Sequence, residues 1–327
     1  MKEQIQLRLK NGFVSFNDVL EIAEFFGVSF QSCLFRTAYI FKRIEGSCDP
    51  KKLPKRAARY QVKAQRDARG YTDTRLYEQL IDASEPWLTD LASPEFIRQQ
   101  YCNNYVFNDS RLEGVDVEAG KVAEIVTDIR LHKSDSPYCS ETHKNEVEIA
   151  GHACMYADLL SIRKTDPISL YTLLRLNEKL YSCSPEPRFG GKFRTANPVV
   201  VGAKFETLDW HEVAPAMSTL YPEVQCLIDH IRDQPLSRFV EDVARMHHRL
   251  TVIHPFADGN GRTTRGFLNL LFMRRGLPPI YIKVSEKEEY QEALARADLK
   301  YDYNGLYGVI FRSILRAQSE LTESSML

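Results

Sequence analysis

The sequence predicts an all-α protein whose body is a helical bundle with one β-hairpin, preceded by a small helical segment. Through most of the chain after residue 70, apolar residues recur three or four positions apart, which is the period of an amphipathic helix. The stretch 190–205 differs because its β-branched and aromatic residues lie between glycines, a pattern that favours a hairpin. We find no internal repeat and no low-complexity tract.

Residues 13–44 are the first predicted unit, a pair of helices with a break at Gly27. The first helix places four apolar side chains at helical spacing: Val19, Ile22, Ala23 and Phe26. This helix-turn-helix candidate resembles the helical tail that follows the metallopeptidase domain of ImmA-type antirepressor proteases. The H-E-x-x-H zinc motif of those enzymes occurs nowhere in this chain. The two helices could pack on neighbouring helices or bind DNA, and the sequence leaves both possibilities open.

Residues 51–69 are a basic stretch that marks a domain boundary. It contains eight Lys or Arg residues and one acid, Asp67. Such a stripe is typical of a solvated linker, and less often of a surface that contacts nucleic acid or an acidic partner. We therefore predict a helical N-terminal segment, a basic linker with a helical connection, a main domain and a tail, at residues 1–50, 51–93, 94–321 and 322–327.

The helices of the main domain and its connection follow from periodicity and from the glycines at their ends. Gly276 follows an apolar helical pattern at the position of a C-terminal cap. The predicted helices lie near 74–84, 94–113, 117–132, 143–162, 167–182, 211–232, 236–252, 260–275, 286–297 and 304–321.

Composition argues against a membrane-spanning or secreted protein and against a cysteine-based zinc or redox site. Charged residues make up 27% of the 327 residues, the formal net charge is -1, and no apolar run approaches the ~20 residues that cross a bilayer. The N-terminus lacks the apolar core of a secretory signal, so we expect a soluble, cytoplasmic protein with no membrane partner. Its seven cysteines are scattered without a C-x-x-C pair, which predicts reduced thiols rather than a zinc or redox site.

The most informative stretch is residues 254–265, HPFADGNGRTTR, between two predicted helices. Two glycines flank Asn260, and these residue types tolerate positive φ, so successive backbone N–H groups can point into one concavity. That concavity opens the N-terminus of the second helix, where unpaired N–H groups and the helix dipole favour an anion. The stretch therefore predicts an anion site.

The side chains around this turn favour a nucleotide as the anion. Arg262 and Arg265 lie three residues apart and can bind different phosphates of a polyphosphate. Asp258 offers a hard carboxylate oxygen that suits Mg²⁺. His254 has a near-neutral reference pKa and can accept a proton from an incoming hydroxyl.

The joint pattern H-x-F-x-D-G-N-G-R-x-x-R matches the signature of the Fic family, and the resemblance extends over about residues 95–320. It implies a Fic-type helical bundle that transfers AMP from ATP to a Ser, Thr or Tyr hydroxyl of a target protein. By position, His254 would be the base, Asp258 would bind Mg²⁺, and Phe256 would pack inward. The residues implied to bind phosphates are Gly259, Asn260, Gly261, Arg262 and Arg265. Because the second glycine of the motif is intact, AMP transfer is favoured over the phosphate transfer of the Doc-like branch.

The resemblance also implies further contacts for the nucleotide and the target. The predicted hairpin at 190–205 resembles the family's flap, which binds the target protein by strand addition and touches the nucleotide. Its nucleotide neighbours would be Val199, Val200, Val201 and Gly202. Tyr290 and Gln291 fall where family members line the adenine pocket.

An upstream motif, Asp109 to Gly114, is similar to the family's inhibitory sequence S/T-x-x-x-E-G/N. The resemblance implies that Glu113 pairs with Arg265 and displaces the γ-phosphate. A carboxylate at the C-terminal end of a helix is disfavoured by the dipole and gains from a nearby cation. Asp109 departs from the expected Ser or Thr, which leaves the tightness of inhibition open.

Two other functions remain open at this stage. Glu113 could activate water so that the same site removes AMP from a modified protein. Alternatively, residues 13–69 could bind DNA while the main domain senses nucleotide, a possibility that the intact base His254 makes less favoured. The sequence also leaves open a homodimer, the identity of the target protein and the choice of ATP over other nucleotides.

Overall fold

A computed structural model of the chain describes residues 1–9, 12–26, 28, 30–44, 77–82, 95–139, 143–163, 165–197 and 208–323. The chain divides into two compact units, Met1–Tyr71 and Thr72–Leu327. Each is described by itself below. Throughout the described residues the secondary structure is helical, and no strand occurs among them.

Within residues 1–44, the described part of the first unit forms the short helices α1 (Lys2–Leu7), α2 (Phe16–Phe25) and α3 (Phe30–Phe35), and α3 continues into a π-helical turn, Arg36–Ile40. Ser15 caps α2, because its hydroxyl accepts from Asp18 N and its own N–H and O–H donate to the Asp18 carboxylate. The predicted apolar face of α2 is buried at Val19, Ile22 and Ala23, as periodicity indicated. Phe26 lies beyond the helix end and is 43% exposed, so its predicted place in this face is wrong.

The second unit is an α-helical bundle, and its helices confirm those predicted from periodicity. A helical segment at 77–82 comes first. The longer helices among the described residues of this unit are α4 (Glu95–Leu112), α5 (Ala119–His132), α6 (Lys144–Ser161), α7 (Thr172–Leu180), α8 (Trp210–Asp229), α9 (Leu236–Ile253), α10 (Asn260–Arg275), α11 (Lys287–Lys300) and α12 (Asn304–Glu323). The glycine predicted to cap α10, Gly276, has φ +100°.

Helix α10 lies at the centre of this bundle and is buried along nearly its whole length. Phe267 and Phe272 are fully buried on it, and Phe272 contacts Phe239 of α9 at 6.2 Å between ring centroids. Helices α6 and α7 cross closely at Gly151, where a Cβ would overlap the Leu180 carbonyl. The loop between α9 and α10 is therefore attached to a helix that is packed in the core.

The hairpin predicted at 190–205 is only partly within the described residues. Residues 190–197 form turns, and residues 198–205 lie outside the described part of the chain. The basic stretch 51–69 lies outside it as well. No helix among the described residues combines the length and the apolar character needed to cross a membrane.

The cysteines differ from the sequence expectation. Cys139 and Cys183 form a disulfide, so the prediction of reduced thiols is wrong for this pair. Cys154 of α6 lies beside them, with its sulfur 3.6 Å from Cys183 Sγ. Residues that are 44 positions apart meet because the short 3₁₀ turn Pro137–Cys139 packs against α6 near the end of α7, which spacing alone does not reveal.

Candidate active site

The loop between α9 and α10 begins and ends with left-handed residues. His254 has φ +52° and ψ +59° at the C-terminus of α9, and Gly259 has φ +73° just before α10. A left-handed non-glycine residue costs about 1–2 kcal/mol, and here Pro255 follows it, which restricts His254 further. Such strain persists only where surrounding contacts impose it, and it is common at functional sites.

Asn260 closes this loop with a reciprocal pair of hydrogen bonds. Phe256 N donates to Asn260 Oδ1 at 2.8 Å, and Asn260 Nδ2 donates to Phe256 O at 2.8 Å. Both residues are buried, and Phe256 packs inward as expected, 6.4 Å from the Phe193 ring centroid. The Asn260 side chain therefore shapes the turn, while its backbone N–H lies among the unpaired amides of the α10 N-terminus.

Arg194 attaches residues 190–197 to the same loop. Its Nε donates to His254 O at 2.7 Å, its Nη2 donates to Leu208 O, and its backbone N donates to Pro255 O at 2.9 Å. A buried guanidinium thus satisfies carbonyls at the C-terminal end of α9. Arg194 was not among the residues singled out from the sequence, where one arginine between glycines and apolar residues gives little signal.

His254 is half-buried and is uncharged near neutral pH. Burial lowers the pKa of its imidazole below the ordinary 6.5, and the positive charge of Arg194 lowers it further. A neutral imidazole can accept a proton, which is the state a general base requires.

Asp258 lies on the rim of the turn with an exposed side chain. Tyr181 OH donates to its Oδ2 at 2.7 Å. Burial alone would raise the pKa of Asp258, but the Arg262 charge and the Tyr181 hydrogen bond outweigh it, and the pKa lies below its usual value. Asp258 is therefore a carboxylate at neutral pH and can offer a hard oxygen to a cation.

Asn177 of α7 forms hydrogen bonds to the turn between α9 and α10. Its Nδ2 donates to Thr263 Oγ1 at 3.1 Å and to Asp258 O at 3.4 Å, and Gly191 N donates to its Oδ1 at 3.0 Å. Asn177 is fully buried on a helix face that otherwise carries leucines. A polar residue in that apolar pattern is the signal that could have identified it in the sequence.

The two motif arginines point toward different acids. Arg262 is buried, with Nη1 3.5 Å from Glu148 Oε2 and Nη2 3.7 Å from Asp258 Oδ2. Arg265 donates from Nε to Asp109 Oδ1 and from Nη2 to Glu113 Oε1 at 2.5 Å. The structure therefore brings Glu113 and Arg265 together, as the motif resemblance implied.

Gly261 provides the space that Glu113 occupies. A Cβ at Gly261 would overlap Glu113 Oε1 and would lie 2.9 Å from Arg265 Nη1. Helix α4 ends at Leu112, and Gly114 follows with φ +87°, which directs Glu113 toward α10. The second glycine of the motif thus has a packing role in addition to its place in the phosphate-binding turn.

Two further buried side chains, His247 and Tyr290, lie near Arg265. Tyr290 OH lies 2.6 Å from His247 Nε2, and burial, with a further contribution from Arg265, lowers the pKa of His247 to about 3. Tyr290 is only 6% exposed, whereas the neighbouring Gln291 is exposed. Both residues were expected at an adenine pocket, and that assignment stays a prediction. The expected flap residues 199–202 lie outside the described part of the chain.

The assembled site is a half-buried neutral imidazole beside a helix N-terminus, with one exposed carboxylate and two buried guanidinium groups. Positive charge and unpaired amides suit a polyphosphate, and the imidazole suits removal of a proton. These groups are His254, Asp258, Arg262, Arg265 and the amides of residues 260 and 261.

Comparison with known proteins agrees with this site. The family model described as the Fic/DOC family matches residues 167–272, which include α7, the loop and most of α10. The chain is 26% identical over 196 residues to a protein adenylyltransferase Fic from Nematostella vectensis, an alignment covering 59% of this chain and 43% of that protein. It is 30% identical over 198 residues to protein adenylyltransferase fic-1 from Caenorhabditis briggsae, covering 60% of this chain and 36% of that protein. The chain thus spans about two fifths of the length of these curated relatives.

Solved structures share the fold. Fic-1 from Caenorhabditis elegans superposes with a TM-score of 0.59 at 19% identity, covering 98% of this chain and 91% of that chain. A Fic domain containing signaling protein from Bacteroides thetaiotaomicron superposes with a TM-score of 0.58 at 19% identity, covering 76% of this chain and 97% of that chain. These likenesses confirm the predicted Fic-type helical fold. Residues 167–272 of this chain thus match the Fic/DOC family model, within a fold shared with solved Fic proteins.

Proposed function

We propose that this protein transfers AMP from ATP to a Ser, Thr or Tyr hydroxyl of a target protein. The observation that carries the proposal is the neutral, half-buried His254 placed at the entrance of a helix N-terminus with two buried arginines. The names of the relatives from Nematostella vectensis and Caenorhabditis briggsae, both protein adenylyltransferases, support the same reaction.

In the proposed mechanism, the loop and α10 bind the triphosphate and His254 takes the proton of the attacking hydroxyl. The hydroxyl oxygen forms a bond to the α-phosphorus, the bond to the β-phosphate oxygen breaks, and pyrophosphate leaves. The amides of residues 260 and 261 bind phosphate oxygens, and Arg262 and Arg265 bind the outer phosphates. Because Arg194 and Asn260 fix the backbone on either side of His254, the imidazole is positioned before substrate binds.

Asp258 fits a magnesium ion, since its carboxylate is ionised, exposed and adjacent to the phosphate-binding amides. Bound Mg²⁺ would neutralise negative charge on the phosphates. Tyr181 would keep the Asp258 carboxylate oriented toward the site through its hydrogen bond. The target segment is proposed to bind at the flap, residues 190–205.

We further propose that the chain is autoinhibited by Glu113. Its carboxylate takes a hydrogen bond from Arg265 Nη2, a donor that an outer phosphate needs. Glu113 would therefore compete with the γ-phosphate and misplace the α-phosphate. Substitution of Glu113 by Gly should raise the rate of transfer.

A labelling experiment tests the reaction. Purified Glu113→Gly protein is incubated with cell lysate, Mg²⁺ and ATP that is labelled either at the α-phosphate or at the γ-phosphate. Label from the α-phosphate should appear on protein, and label from the γ-phosphate should not. Adding His254→Ala should lower the rate by ~10²- to 10⁴-fold, which is typical for loss of a general base.

His230→Ala serves as the matched control, because this histidine is exposed at the end of α8 and should leave the rate unchanged. Transfer of γ-label would mean phosphate transfer, and absence of any transfer would overturn the proposal. Loss of α-label from modified protein that depends on Glu113 would favour AMP removal as the net reaction.

A further inference from the structure

Asp109 is the position where this chain departs from the motif S/T-x-x-x-E-G/N, because it carries a carboxylate where that motif has a hydroxyl. The side chain is fully buried in α4. Its Oδ1 accepts from Arg265 Nε, and its Oδ2 lies 3.0 Å from His152 Nε2. Both oxygens of this carboxylate are therefore occupied by groups of the core.

The surroundings of Asp109 favour its ionised form. Burial raises the pKa of Asp109, but Arg265 and His152 lower it more, so that the pKa lies below its usual value. Burial lowers the pKa of His152, whose Nδ1 lies 3.2 Å from Ser110 Oγ and whose Nε2 lies 3.0 Å from Asp109 Oδ2. Asp109 and Arg265 form a buried ion pair of opposite full charges.

Asp109 and Glu113 contact different edges of the same guanidinium. Asp109 accepts from Nε, whereas Glu113 accepts from the terminal Nη2. A guanidinium is planar and its donors are fixed relative to one another. Fixing Nε therefore also fixes the direction in which the terminal nitrogens point, which here is toward Gly261 and the phosphate-binding turn.

Asp109 and Glu113 also differ in how readily they can separate from Arg265. The Asp109 side chain is 1% exposed, and separating it from Arg265 would leave an unpaired buried charge, which is strongly unfavourable. The Glu113 side chain is 32% exposed and can turn into solvent, where its ion pair is replaced by water. Exchange with a ligand is thus confined to the Glu113 edge.

We propose that Asp109 is a positioning residue that fixes Arg265 as a preset receptor for the terminal phosphate of a nucleoside triphosphate. Glu113 occupies the Nη2 edge of that receptor until the phosphate displaces it, and Arg265 does not need to move. The inference rests on the proposed function, because it assigns the terminal phosphate to Arg265. It predicts that the gain from removing Glu113 requires Asp109.

Calorimetry with ATP and with AMP, each with Mg²⁺, tests this without any transfer reaction. Glu113→Gly should raise the affinity for ATP by about tenfold and leave that for AMP within about twofold, since AMP lacks the terminal phosphate. Adding Asp109→Ser, the residue type of the related motif, should remove most of this gain for ATP alone. Asp109→Asn retains the shape of the side chain and an acceptor for Nε, and it should lose less than the Ser variant.

Three results would overturn the inference. If Asp109→Asn or Asp109→Ser alone raised ATP affinity as Glu113→Gly does, Asp109 would be a second inhibitory acid. If the Asp109 variants left ATP affinity unchanged in the Glu113→Gly background, Asp109 would have only a structural role. Equal losses for ATP and AMP would also indicate general loosening of the site. Failure of every variant to bind ATP would instead refute the proposed function.

The ¹⁵N-edited NMR signal of the Arg265 Nε–H group gives a readout that does not depend on nucleotide. In Glu113→Gly protein this proton should remain slow to exchange with solvent, because Asp109 still accepts it. In the Asp109→Ser variant it should exchange rapidly. If Glu113→Gly alone made the proton exchange rapidly, Glu113 rather than Asp109 would fix the guanidinium.

Discussion

Substitution of Asn260 tests how much its side chain contributes to stability by closing the loop between α9 and α10. The Asn260→Ala variant loses two buried hydrogen bonds to the backbone of Phe256, both 2.8 Å long. Each bond contributes about 1 kcal/mol, and the buried N–H and C=O of Phe256 are then left without these partners. We expect a loss of about 3 kcal/mol in the free energy of unfolding, or about 6–12 °C in Tm for a unit of this size.

Differential scanning calorimetry of the nucleotide-free protein measures this loss. Asn145→Ala is the control, because Asn145 is exposed and donates one hydrogen bond, to Asp116 O at 3.1 Å, so that Tm should change by less than about 2 °C. Asn260→Asp keeps the acceptor for Phe256 N but loses the donor at neutral pH. Its deficit in Tm relative to the parent should narrow between pH 7.5 and pH 5, because a protonated carboxyl regains a donor.

The reasoning is refuted if Asn260→Ala melts within about 2 °C of the parent protein. In that case the side chain does not close the loop and is available to contact a phosphate, as the family resemblance implied. If the melting temperature of Asn260→Asp falls as far as that of Asn260→Ala at every pH, the retained acceptor for Phe256 N contributes no stability, which would also contradict the reasoning.

Further predictions concern His254 and Arg262. His254→Gly should be more stable than His254→Ala by about 1 kcal/mol in thermal melts, because φ +52° favours glycine; equal stability would contradict the left-handed assignment. The transfer rate of Glu113→Gly protein should fall on the acid side with a midpoint below pH 6.5, since burial and Arg194 lower the pKa of His254 below its ordinary 6.5; a midpoint at or above pH 6.5 would contradict this. Arg262→Ala should weaken ATP binding about ten- to a hundredfold and AMP binding much less by calorimetry, whereas equal losses would place Arg262 outside the outer-phosphate site.

The sequence alone was sufficient to predict the helices and the chemical character of the loop. Both depend on local properties, namely the spacing of apolar residues and the backbone freedom of glycine. Helix α10 begins at Asn260 and ends before Gly276, as those properties require. The pairing of Glu113 with Arg265 was implied by the family motif and is present in the structure.

The tertiary structure decided the contacts that position the site, because they join residues remote in sequence. Asp109 and Arg265 are 156 residues apart, Asn177 and Asp258 are 81 apart, and Arg194 and His254 are 60 apart. In the sequence, Asp109 was only a departure from the motif. The folded chain pairs it with Arg265, because burial leaves an ionised carboxylate no alternative to a cationic partner in the core. Local patterns thus predict which residues can do the chemistry, and packing determines which groups orient them.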